Sequence, residues 1–290
     1  MSPLQRLTGG PNLTPVMGGK MDAINSQGIV LLGCGKMGGA MLEGWLKQGL
    51  APASAWVIDP HPSEWLLGLA AQGLHLNAAL PVAPAVVLIA VKPQMMADAL
   101  PTMAGYGATS LFVTIAAGTM ISTYERVLGH GARVVRAMPN IPAAVGRGVT
   151  AIIGNAAATT ADLDLAEGLL SAVGQVVRLE GEHQMDAVTA VSGSGPGYVF
   201  HLVEALAAAG VAEGLPADLS MALARATLSG AGEMLLRSPL SAAELRESVT
   251  SQKGTTAAGL AVLMDPDTGF PALMQRAVKA AADRGRELGK

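Results

Sequence analysis

The first half of the chain alternates short apolar runs with segments of helical period. Gly28–Leu32 is an apolar run that ends in glycines, and Lys36–Gln48 after it has the spacing of a helix. Further strands are predicted at Trp56–Ile58, stopped by Asp59-Pro60, at Val86–Val91, closed by Lys92-Pro93, and at Leu111–Ala116, closed by Gly118. Arg133–Arg136, Gly148–Ile153 and Gln175–Leu179 complete the set. Most of these runs are apolar at every position. A strand with one wet face alternates, whereas a strand covered on both faces does not, and parallel sheets between two helical layers have that pattern. Strand–helix alternation then predicts a doubly wound α/β sheet of Rossmann type with right-handed crossovers.

From about Met185 the β-branched runs stop. Long Ala, Leu and Met segments follow at Tyr198–Ala209, Pro216–Leu236, Ala242–Val249, Thr256–Met264 and Pro271–Leu288. Pro216 near a helix start and Gly210 and Gly214 after a helix end are boundary signals. This half is expected to be all α. Stretches such as Met221–Leu228 are apolar on more than one face, so they must bury more than one face. In a half this short, a partner subunit is the expected cover. Residues 1–26 are rich in Gly, Pro, Ser, Thr and Asn without period, and are read as a flexible extension. The predicted division is therefore an extension at 1–26, a dinucleotide-binding domain at 27–181 and a helical domain for substrate binding and dimerisation at 182–290.

Composition narrows the function. Of the 290 residues half are hydrophobic but only 3% aromatic, so Ala, Leu, Val and Met fill the core. A net charge of −3 gives no basic surface for nucleic acid or an anionic membrane. No apolar run approaches the ~20 residues that span a bilayer. The single cysteine, Cys34, forbids an intrachain disulfide, and with no secretion signal in view a cytoplasmic location is expected. No metal is called for.

The chemistry begins at Ile29-Val30-Leu31-Leu32-Gly33-Cys34-Gly35-Lys36-Met37-Gly38, which places GxGxxG where a strand turns into a helix. Gly33 permits the turn, Gly35 admits a pyrophosphate close to the backbone, and Gly38 lets helix and strand pack closely. Lys36 and Met37 sit at the helix start, where free N–H groups and the helix dipole favour an anion. The motif alone is weak in a chain of 36 glycines; the preceding strand, the following helix and Asp59 make it specific. Asp59 ends the second strand, where a carboxylate binds the adenosine ribose of NAD and repels the 2′-phosphate of NADP. It also opens an Asp-Pro-His-Pro turn, and His61 could neighbour a 2′-phosphate, so NAD and NADP both stand. Cys34, near a helix N-terminus, is a place where a thiol pKa can fall. Lys92 follows the third strand at the sheet edge that binds ligands in open α/β folds.

Downstream, Gly254-Thr255-Thr256 precedes an apolar helix. This is a natural anion site, suited to a substrate carboxylate, or simply a threonine N-cap. Ser192-Gly193-Ser194-Gly195-Pro196 breaks the chain before a helix, and its glycines allow close backbone approach or a structural kink.

Together, the glycine loop, Val91-Lys92-Pro93, Arg136-Ala137-Met138-Pro139-Asn140, the segment Asp186–Tyr198 containing Ser-Gly-Ser-Gly-Pro, and Gly254-Thr255-Thr256 resemble the pyrroline-5-carboxylate reductase family over residues 27–288. The resemblance implies reduction of 1-pyrroline-5-carboxylate to L-proline by NADPH or NADH, and a helical domain that forms homodimers, which can assemble into decamers. It implies that Asn77, Lys92 and Met138-Pro139-Asn140 line the cofactor, beside Val91 and Pro93. It implies that the loop Val249–Thr256 of the partner subunit holds the substrate, with Thr256 at the reacting ring and Ser194 and Gly195 close by. The family pattern Ser-Pro-Gly-Gly-Thr-Thr departs here to Ser251-Gln252-Lys253-Gly254-Thr255-Thr256. The alternatives are a reductase of a related cyclic imine carboxylate or a non-catalytic dinucleotide-binding protein. A 3-hydroxyacid dehydrogenase would need a base, typically a lysine on the helix linking the domains, and Met185–Leu206 contains none.

Overall fold

Apolar stretches of four residues form the centre of one sheet. The computed structural model describes residues 18–289. Its strands are β1 (Ile29–Leu32), β2 (Ala55–Ile58), β3 (His75–Leu76), β4 (Val86–Ile89), β5 (Leu111–Thr114), β6 (Arg133–Met138), β7 (Gly148–Gly154) and β8 (Gly174–Arg178). They lie in the order β3-β2-β1-β4-β5-β6-β7-β8. β1, β4 and β5 are buried at every position. Side chains alternate between two cores, Ile29 and Leu31 with Leu42 and Trp45 on one face, Val30 and Leu32 with Leu100 and Tyr124 on the other.

The helices of this unit are α1 (Gly18–Gln27), α2 (Lys36–Lys47), α3 (Glu64–Ala70), α4 (Met96–Ala99), α5 (Ile121–Leu128), α6 (Thr160–Leu170) and α7 (Met185–Val188). Two features depart from expectation. The sheet is mixed: β6 and β7 are antiparallel, with Ala137 opposite Ile152. Residues 139–147 are too few for the crossover of a dozen or more residues that a parallel pair requires. Residues 18–26, expected to be part of a flexible extension, are helical and fixed. Met21 and Ile24 are buried in the core with Trp45, and the Asn25 side chain donates to Gly49 O (3.1 Å) and accepts from Ala51 N–H (2.9 Å). The remainder of that extension, residues 1–17, lies outside the described residues.

Contacts divide the chain after Gly193 rather than after 181, with residues 282–289 grouped with the sheet. Segment 182–193 belongs to the sheet unit because it is bonded to β6 and the loop beyond it. The second unit, residues 194–281, holds α8 (Gly195–Ala212), α9 (Ala217–Arg237), α10 (Ala242–Ser248), α11 (Thr255–Leu263) and most of α12 (Phe270–Leu288). Of its residues only Ala207, Ser220, Ala224 and Gly269 are buried. Phe200 is 59% exposed and Val262 71%. This unit therefore has almost no core of its own within one chain.

Candidate active site

The strand order reverses between β1 and β4, and in open α/β sheets the crevice at the carboxyl ends of the strands there takes the ligand. The glycine loop lies at that edge. Gly33 has φ +90°, and its N–H donates to Ile58 O at 2.8 Å. A Cβ on Gly33 would stand 3.0 Å from Ala90 O and 3.1 Å from Val91 Cγ1, and a Cβ on Gly38 would stand 2.5 Å from Gly33 O. The first glycine thus makes the turn and the third lets α2 lie on β1. Nothing lies within 4 Å of the position a Gly35 Cβ would take. Gly35 is the N-cap of α2 and no side chain caps this helix, which leaves the amides around Lys36 and Met37 for an anion.

Asp59 is held from three sides. Its Oδ2 accepts the Cys34 N–H at 2.7 Å, and its Oδ1 accepts the His61 N–H at 2.8 Å. Asn77 clamps its backbone, accepting from Asp59 N–H (2.9 Å) and donating to Asp59 O (2.8 Å). Asn77 achieves this in the left-handed region, at φ +49°, which Asn tolerates better than most residues. The Cys34–Asp59 bond has no sequence signal, since the two are 25 residues apart. The thiol is the reverse of the expectation: burial first, and the Asp59 charge second, push Cys34 up to about 11. Desolvation outweighs the helix N-terminus because both it and the carboxylate disfavour a thiolate.

Lys92 and Pro93 follow β4 on the exposed edge, and Lys92 precedes a short 3-10 turn. Met138 ends β6, and Pro139 and Asn140 behind it are buried. The residues expected to line a dinucleotide, from Gly33 to Asn140, therefore share one unit and one sheet edge. Val249, Gly254, Thr255, Thr256, Ser194 and Gly195 lie in the helical unit. There Gly254 is the N-cap of α11, without a side-chain cap, so neither threonine hydroxyl caps that helix. Lys253, at the place of a family glycine, adopts φ +60°. A glycine would take that conformation without the cost of roughly 1–2 kcal/mol that a Cβ brings.

A glycine cradle with a fixed carboxylate at the switch point of a doubly wound sheet is the arrangement of a Rossmann-type dinucleotide-binding protein. A family model described as pyrroline-5-carboxylate reductase dimerisation matches residues 182–288, and one described as NADP oxidoreductase coenzyme F420-dependent matches residues 28–118. The pyrroline-5-carboxylate reductase of Methanosarcina acetivorans is 36% identical, covering 92% of this chain and 100% of that protein. The enzyme of that name from Pseudomonas aeruginosa is 39% identical, over 90% of this chain and 97% of the relative. The structure of a pyrroline-5-carboxylate reductase from Coxiella burnetii superposes with a TM-score of 0.84 at 30% identity, covering 91% of this chain and 99% of the other. That of Plasmodium falciparum pyrroline carboxylate reductase, with NADP bound, gives 0.76 at 27% identity, over 92% and 99%. The chain belongs to the pyrroline-5-carboxylate reductase family, and is an NAD(P)H-dependent oxidoreductase acting on a CH–NH bond. Its helical part is a dimerisation domain, so the protein associates with itself.

Proposed function

We propose that the sheet unit holds the reduced dinucleotide along the carboxyl ends of β1 and β4, and that the loop before α11 holds 1-pyrroline-5-carboxylate, which is reduced to L-proline. The observation that carries the cofactor half is the cradle itself: the forbidden Cβ at Gly38, the open face of Gly35 and an uncapped helix start. In this reading the amides of Gly35, Lys36, Met37 and Gly38 receive the pyrophosphate, and Gly33 sets the turn. Asp59, steadied by Asn77, accepts from the adenosine ribose. Val91, Lys92 and Pro93, with the Met138-Pro139-Asn140 turn, border the nicotinamide half. When bound, the cofactor supplies a hydride for the imine carbon.

The chain's residues bind and orient. The amides of Thr255 and Thr256 at the start of α11 suit the substrate carboxylate, while the Gly254 N–H closes the loop on Ser251 O at 3.0 Å. Val249 borders the ring, and Ser194 and Gly195 border its other side. The Thr256 hydroxyl bonds the ring nitrogen. A protonated imine is already electrophilic, so positioning and exclusion of water suffice, and well-aligned reactants can gain roughly 7–11 kcal/mol. Following the family resemblance, the partner subunit supplies this loop. Thr256→Ala should cost ~0.5–1.5 kcal/mol of transition-state binding, up to roughly tenfold in kcat/KM; an unchanged value would remove Thr256 from the site.

The near-absence of buried residues between 194 and 281 supports dimers formed through those helices. Decamers built from the dimers and a cytoplasmic location complete the proposal. Light scattering of the purified enzyme tests the first, where a mass of two protomers alone would refute the decamer. Cell fractionation tests the second, where recovery outside the cytoplasm would refute it.

A further inference from the structure

Alternate residues of one strand grip a single downstream segment. Arg136, Met138 and Asn140 are spaced by two, so they leave β6 and its extension on the same side. Arg136 Nη1 reaches Glu182 Oε1 at 2.6 Å. Met138 Cε would stand 2.9 Å from a Cβ on Gly193. Asn140 Nδ2 donates to Ser192 O at 3.1 Å, while its Oδ1 accepts the Val149 N–H at 2.9 Å. Asn140 is 9% exposed.

The gripped segment is unusual. Thr189–Gly193 is a π-turn, sealed by Thr189 Oγ1 donating to Met185 O (2.8 Å) and Ser192 Oγ donating to Val188 O (2.9 Å). Single π-turns are rare and frequently mark functional sites. An amide side chain has one carbonyl end and one NH2 end, and both ends of Asn140 are given to backbone groups. It is thus a cross-brace between the start of β7 and the π-turn.

We infer that Asn140 is a positioning residue: it fixes the π-turn, and through the chain the first residues of α8, Ser194 and Gly195. This rests on the reading above, in which those residues border the substrate. Because both ends of the Asn140 side chain are committed to Ser192 O and Val149 N–H, the dinucleotide meets the turn at residues 138–140 through its backbone, and its affinity depends little on that side chain.

The full-length enzyme, Asn140→Asp and Asn140→Ser test it. Aspartate keeps the acceptor for Val149 N–H but sets an acceptor against Ser192 O; serine is too short to reach that carbonyl. Misplacement by about 1 Å can cost two orders of magnitude in rate. The expected result is a fall in kcat of about tenfold or more, with the dissociation constant for NADH, read from nicotinamide fluorescence, changed by less than about twofold. A purely structural role would lower the thermal midpoint and leave the kcat of the folded fraction intact, which would overturn the inference. An NADH dissociation constant that rises in step with the loss of kcat would overturn it too, by making Asn140 a dinucleotide contact. If the aspartate variant does not fold, the serine variant is judged on the same values. A wild-type enzyme without turnover would sink the functional reading and this role with it; an active wild type beside an unaffected variant would sink the role alone.

Discussion

At the scale of single residues, two side chains carry opposite lessons about charge. Asp59 is held at the end of β2 by the amides of Cys34 and His61, and in the proposed reading its oxygens face the adenosine ribose. A 2′-phosphate ~4 Å away would feel a repulsion of roughly 4 kcal/mol at an effective dielectric near 20, before solvent relaxation reduces it. The enzyme should therefore turn over NADH with a higher kcat/KM than NADPH. Asp59→Ser should narrow that ratio mainly by improving NADPH, and a ratio left unchanged by the substitution would contradict the assignment. Cys34 sits in the same loop but is neutral. With its thiol at about 11, above the ordinary 9.0, the reactive thiolate at pH 8 is about a hundredfold scarcer than in a free cysteine. Alkylation by iodoacetamide should be correspondingly slow, and its rate should keep climbing as pH rises past 9 towards 11. A rate that levels off at or below pH 8 would show a depressed thiol instead.

At the scale of elements, packing decides what local pattern does not. α1 is anchored by Met21 and Ile24, two buried residues one turn apart in an otherwise polar and glycine-containing stretch. Ile24→Ala should cost about 2–4 kcal/mol in urea unfolding, as buried large-to-small changes do; a loss below about 0.5 kcal/mol would mean that α1 is not docked. The same fact explains why this helix escaped sequence reading, since two apolar positions give no period. The central strands were legible because β1 and β4 are apolar throughout and β5 is apolar up to Thr114, and the glycine loop because its spacing is tied to the strand before and the helix after. β3 was missed, as His75 and Leu76 make a strand of two residues. The reversal of β7 was missed because a run of apolar residues carries no direction. The Asn140–Ser192 bond joins residues 52 apart, and no local pattern announces such a bond.

At the scale of the molecule, the two units differ in how they are stabilised. The sheet unit closes two cores within one chain. The helical unit leaves Phe200, Met234, Val262 and Met264 exposed and buries almost nothing. Exposed apolar faces of this kind mark association surfaces, which agrees with the dimerisation family matched over 182–288. In the function proposed above, the sheet unit holds the hydride donor and the loop before α11 holds the ring imine carboxylate. Turnover of the native oligomer with 1-pyrroline-5-carboxylate tests this most directly, following dinucleotide absorbance and product together. The account predicts that NADH is consumed one-for-one with L-proline formed, and not at all without the imine. No consumption above background with either NADH or NADPH would contradict it.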